Sequence, residues 1–158
     1  MKRLTNAAFT LIEALIVIAI SLVLAGIAIP IFANAMKSYY QSATVSAVTG
    51  AIEATRFQAI MRGYPYQLVF TSATLSYQVY NEIPPATTFS LVVPGTGSST
   101  TPLPAAGGVA MTGAATFTYT FSANGTVTLP ATNMQISNSV KSNTIHVSGV
   151  GNVSTTSP

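Results

Sequence analysis

Hydrophobic and polar positions divide the chain into two regimes. From Phe9 to Phe32 the sequence FTLIEALIVIAISLVLAGIAIPIF is an almost unbroken apolar run. As a helix, a run of that length spans a hydrocarbon core of about 30 Å. Beyond it, Phe32, Met36 and Tyr40 recur at four-residue spacing, and Val45, Val48, Ile52, Ala59 and Ile60 extend the stripe. Lys37, Gln41, Ser46 and Gln58 fall at other angles, the pattern of a helix with one face packed. Pro30, with Gly26 shortly before it, predicts a kink near Ala28 to Ile31 rather than an end, because the helical period resumes directly. Gly63-Tyr-Pro65 then stops the helix. Tyr39 and Tyr40 fit either an outer membrane interface or ordinary core packing.

From Tyr66 the period becomes two. Tyr66 to Phe70 and Leu75 to Tyr80 read as strands joined by a short turn, and Phe89 to Val93 as a third. Pro94 to Gly108 is rich in Gly, Pro, Ser and Thr and reads as an exposed loop. Thr116 to Phe121 and Thr126 to Leu129 flank Ser122-Ala-Asn-Gly125, a hairpin signal because Asn and Gly tolerate positive φ. Gln135 to Ser137 and Thr144 to Ser148 are weaker strands, and Gly149 to Asn152 turns into a polar tail expected to fray. The expected fold is α+β, a long N-terminal helix packed against a small antiparallel β-sheet domain.

Charge sharpens this picture at one point. Glu13 is the only charged residue between Phe9 and Lys37. A carboxylate in an apolar helix costs roughly 2.5–3.5 kcal/mol at a membrane centre, so Glu13 needs an interfacial position or a partner. Only 6% of the 158 residues are charged, and Ser, Thr, Asn and Gln supply most of the remaining polarity. The formal charge is +3, but Lys2 and Arg3 lie in the short leader, and the rest carries only +1, four basic against three acidic side chains. Those two basic residues favour a cytoplasmic N-terminus with the remainder outside. There is no Cys, so disulfides and thiol chemistry are excluded.

A cut between Ala8 and Phe9 would give Glu13 its partner, because the new α-amine lies four residues earlier, one helical turn away or within reach in a packed neighbour. The stretch AAFTLIEALIVIAI closely resembles the N-terminus of type IV pilins and type II secretion pseudopilins: a small residue, the cut, then Phe-Thr-Leu-Ile-Glu and an apolar helix. The resemblance implies processing at Ala8 and Phe9 by a prepilin peptidase, N-methylation of Phe9, and a role for Glu13 in filament assembly. Family members more often carry Gly where Ala8 stands. The implied organisation is a cleaved leader over 1–8, a long helix over 9–62 whose first half is transmembrane and then filament core, and a β-rich domain over 63–158. The segment Ile52-Glu-Ala-Thr-Arg56-Phe-Gln-Ala-Ile-Met-Arg62-Gly63, with FSANGTVTL and Ile145 to Val153, is similar to the minor pseudopilin H / FimT branch.

Enzyme chemistry finds no support. His146 is the only histidine, alternating with Ile145 and Val147, and reads as a strand-surface residue. No nucleophile elbow or phosphate loop is present, and the three carboxylates are too scattered for a calcium cage. No cofactor or metal is expected. Arg56 is spaced to pair with Glu53 at i+3, and Arg62 to sit at the helix C-terminus. Some members of the branch bind DNA through C-terminal basic residues, but Asn152 stands where their Gly-Arg-Val motif has Arg, and only Lys141 is basic after Arg62. The expectation is a structural minor pilin or pseudopilin acting in filament initiation or assembly, with a major pilin or a DNA-uptake subunit as alternatives. Its expected partners are other pilin subunits, the prepilin peptidase and the assembly platform. Its expected place is the bacterial inner membrane and a periplasmic or extracellular filament.

Overall fold

A computed structural model describes residues 10–92, 100–130 and 132–157. One helix, α1, runs from Leu11 to Arg62 without interruption at Pro30. It begins at Thr10, whose carbonyl accepts from the Glu13 and Ala14 amides and whose hydroxyl accepts from the Glu13 amide at 3.3 Å. It ends at Gly63, which adopts φ +73° and donates its N–H to the Ala59 carbonyl. A side chain would strain that left-handed conformation, so glycine suits the stop.

The chain divides into two compact units, the first ending at Ala35 and the second beginning at Met36. The described part of the first unit is helix alone. The second contains the rest of α1 and two antiparallel sheets. The first sheet comprises β1 (Tyr66–Thr71), β2 (Ser76–Asn81), β3 (Ser90–Leu91), β4 (Thr101–Pro102), β6 (Thr116–Phe121) and β7 (Val127–Thr128). Its order is β3-β2-β1-β6-β7, with β4 also on β2. The second comprises β5 (Ala110–Thr112), β8 (Met134–Ser137), β9 (Ser142–Val147) and β10 (Val153–Thr156), ordered β10-β9-β8-β5. The fold is α+β, as its hydrophobic periods require.

The core follows from those periods. Strand alternation turns Leu68 and Phe70 of β1, Phe117, Tyr119 and Phe121 of β6, and Met134 and Ile136 of β8 to the inside. Val48, Ile52 and Ala59 of α1 are buried with them. Polar residues join this face: Gln41, Thr44 and Thr55 are buried, and the Thr55 hydroxyl donates to the Ala51 carbonyl at 2.7 Å. Gln41, expected on the wet face, donates its amide across to the second sheet.

Several sequence expectations change in detail. Ile60, expected in the stripe, is 46% exposed. Phe89 to Val93 contracts to β3, with Val93 outside the described residues. Of the loop over Pro94 to Gly108, residues 94–99 lie outside the described set. The remainder is more ordered than its composition suggests: β4 pairs with β2, Leu103 is buried, and Ala106–Gly108 forms a 3-10 turn. The expected frayed tail instead forms β10, paired with β9 from Val153↔Val147 to Thr156↔Thr144. A strand of Ser and Thr carries little apolar signal, and only the backbone ladder reveals it.

Candidate functional site: an apolar helix segment with one acid

Every large apolar side chain from Leu11 to Phe32 keeps more than half of its surface exposed. A helix apolar on all sides is stable only when lipid or other helices surround it. This helix is long and apolar enough to cross a membrane, and none of its most apolar window is buried. Composition and exposure together define an apolar surface that the described residues leave uncovered.

Its polar groups are few and mostly satisfied locally. Between Thr10 and Ala33 the only polar side chains are Thr10, Glu13 and Ser21. Thr10 caps the helix, and Ser21 donates to the Val17 carbonyl at 2.8 Å. The Glu13 carboxylate has no partner among the described residues. It stands in the first turn, where the positive end of the helix dipole favours an acid. Pro30 lies inside the helix and supplies no N–H to the turn before it. Ala8 and Phe9 lie outside the described residues.

Other sequence-singled residues occupy structural positions. His146 contacts the Thr156 hydroxyl at 3.2 Å across the β9–β10 pair. Among the described residues no group of three or more His, Cys, Asp or Glu side chains gathers as a metal site would need. Arg62 closes the last turn of α1. Arg56 does not pair with Glu53; its Nε donates to the Gly125 carbonyl at 3.3 Å. The reason is packing, since Gly125 and Gly151, at φ +82° and +81°, bring two turns against the arginine. A Cβ at Gly151 would sit 2.6 Å from the Arg56 Nε. Each turn was legible as a glycine signal, but their convergence on one helical side chain was not.

Burial also tunes two phenols. Tyr119 is pushed up to about 12 by desolvation. Tyr66 is raised first by burial and then by its hydrogen bond with the Tyr64 hydroxyl.

Comparison with known proteins bears on the N-terminal segment. Residues 3–29 match the prokaryotic N-terminal methylation motif. No curated protein and no solved structure matches the chain. The motif points to a structural subunit processed by a prepilin peptidase and assembled with other pilin subunits, and the apolar helix fits inner-membrane anchoring. The match thus supports the type IV pilin and pseudopilin family.

Proposed function

We propose that this chain is a minor pilin or pseudopilin that acts in the initiation or assembly of a type IV pilus or type II secretion pseudopilus. The observation that carries the reading is the Glu13 carboxylate, without a partner among the described residues, on a helix that is exposed and, but for Ser21, apolar through Phe32. The leader over 1–8 is cut between Ala8 and Phe9, and the new Phe9 amine is methylated. Residues from Phe9 hold the subunit in the inner membrane, single-pass with a cytoplasmic N-terminus. On extraction they exchange lipid for the equivalent helices of other subunits, so little apolar surface meets water at any stage. Glu13 pairs with an N-terminal amine and sets axial register, because a carboxylate buried there without a partner is strongly disfavoured. Pro30 marks a bend within the 9–62 helix, and the 63–158 domain faces outward. The similarity of Ile52 to Gly63 to the pseudopilin H / FimT branch supports the minor role.

Sheared surface filaments, with subunits identified by intact mass, test this. The expected result is a trace subunit beginning at methylated Phe9, and loss of the chain from filaments in Glu13→Ala. A dominant subunit would assign a major role. Retention of Met1 to Ala8 in functional cells, or normal assembly without Glu13, would overturn the mechanism.

A further inference from the structure

We propose that the turn between β8 and β9, with the stretch of α1 it is bonded to, forms a docking surface for anionic phospholipid headgroups through Lys37, Tyr39, Val140 and Lys141. The proposal rests on the membrane reading above and concerns the subunit before its extraction.

These residues come from distant parts of the chain and are held together by hydrogen bonds. The Lys37 ammonium donates to the Ser139 hydroxyl at 3.1 Å, and the Asn138 side-chain amide donates to the Lys37 carbonyl at 2.8 Å. The Asn138 side-chain oxygen in turn accepts from the Val140 and Lys141 amides, both at 2.9 Å, which fixes the turn where it meets the helix. Lys141 is exposed, and its ammonium has no partner among the described residues. Lys37 meets only a neutral hydroxyl. The other acids of this unit are remote. Glu53 lies about 24 Å further along the helix. Glu82 is tied through its amide to the Pro65 carbonyl, beyond the far end of α1. Two of the four basic side chains outside the leader therefore meet here with no acid to neutralise them.

Their surroundings suit a bilayer surface. Tyr39 is 66% exposed, whereas Tyr40 packs on the core, so two tyrosines that look alike in sequence divide between outside and inside. An exposed tyrosine is favoured at headgroup level. Val140, 44% exposed beside Lys141, adds an apolar contact of the kind that enters the headgroup boundary. Depth agrees with this. Glu13 and Lys37 bound the uncharged run. As a helix that run spans about 36 Å, longer than a hydrocarbon core of about 30 Å and within the roughly 40–45 Å that includes both headgroup layers. With Glu13 in one headgroup layer, Lys37 falls in the other. Unneutralised ammonium groups recognise phosphate, and at that depth the phosphates are those of lipid.

The chain has no cysteine, so single labels are clean. Val140→Cys carries an environment-sensitive fluorophore in the full-length chain, reconstituted into vesicles of phosphatidylcholine alone or of equal parts phosphatidylcholine and phosphatidylglycerol. Val150→Cys is the control, exposed in the turn at the opposite end of β9, about 20 Å away. Val23→Cys reports on the apolar segment. A nitroxide on the lipid headgroup should quench the Val140 label in the phosphatidylglycerol vesicles and leave the Val150 label bright. Lys141→Gln, which keeps the backbone amide of the turn, should lower the quenched fraction roughly fivefold, the factor one lysine contributes at an anionic surface. Quenching of Val140 that is absent, equal in the two vesicles, or unmoved by Lys141→Gln would refute the headgroup contact. A Val23 label that an acyl-chain nitroxide fails to quench would refute the membrane reading itself, a distinct result.

Discussion

Gln41 and Asn143 are joined by a 3.0 Å hydrogen bond where neither residue is more than 9% exposed. The same Gln41 nitrogen donates to the Ile136 carbonyl at 3.0 Å, so one helical side chain grips two strands of the second sheet. Replacing Gln41 by Ala leaves both acceptors buried with one fewer donor. The expected loss is about 2–4 kcal/mol of folding free energy, measured by urea denaturation of the full chain in detergent. Gln41→Glu should be worse at neutral pH, because it sets a carboxylate against two oxygens. A loss below the effect of a typical surface substitution would remove this role.

Gly151→Ala should destabilise through two additive causes: φ +81°, and a Cβ forced to 2.6 Å from the Arg56 Nε. The combined cost is about 1–3 kcal/mol. Arg56→Ala in the same chain relieves the collision but not the backbone strain. A double-mutant cycle on denaturation midpoints should therefore show clear coupling, and strict additivity would contradict the packing.

Tyr119 gives a pH signature with a definite sign. Its folded value, raised from 10 to about 12, means the native state keeps a proton that the unfolded chain has begun to release. Stability should fall as pH rises through that window. Tyr119→Phe should flatten the decline, leaving the contribution of Tyr66, which is also raised. An unchanged slope would show that the phenol does not titrate as its burial requires.

Val23→Arg tests the membrane reading of the first unit. A guanidinium at this exposed midpoint of the apolar segment costs about 2.5–3.5 kcal/mol of insertion. Carbonate extraction of membranes should then release a larger fraction of the chain than in wild type. Equal retention of both forms would argue against a spanning helix.

Much of the fold could be read from the sequence because apolar burial dictated it. The stop at Gly63, the strand from Thr116 to Phe121 and the burial of Val48 and Ile52 all follow from period and turn chemistry. Features governed by backbone pairing or polar contacts were hidden. Ser154 to Thr156 have no hydrophobic signal, yet they pair with β9. Gln41 looks solvated until Asn143, over a hundred positions later, is brought beside it. Arg56 lies one turn from an opposite charge, but the steric fit of two distant glycines decides its direction. At the candidate site, Glu13 stood out at once because a lone charge in an apolar run is conspicuous.

No ion pair forms among the described residues: the interior is tied together by apolar contact and hydrogen bonds, and the charged donors Arg56 and Lys37 reach uncharged oxygens. Dilute or briny surroundings therefore find no charge attraction inside the fold to strengthen or screen. Strongly hydrated anions such as sulfate act only by favouring compactness. A subunit built this way keeps its shape across swings in salinity.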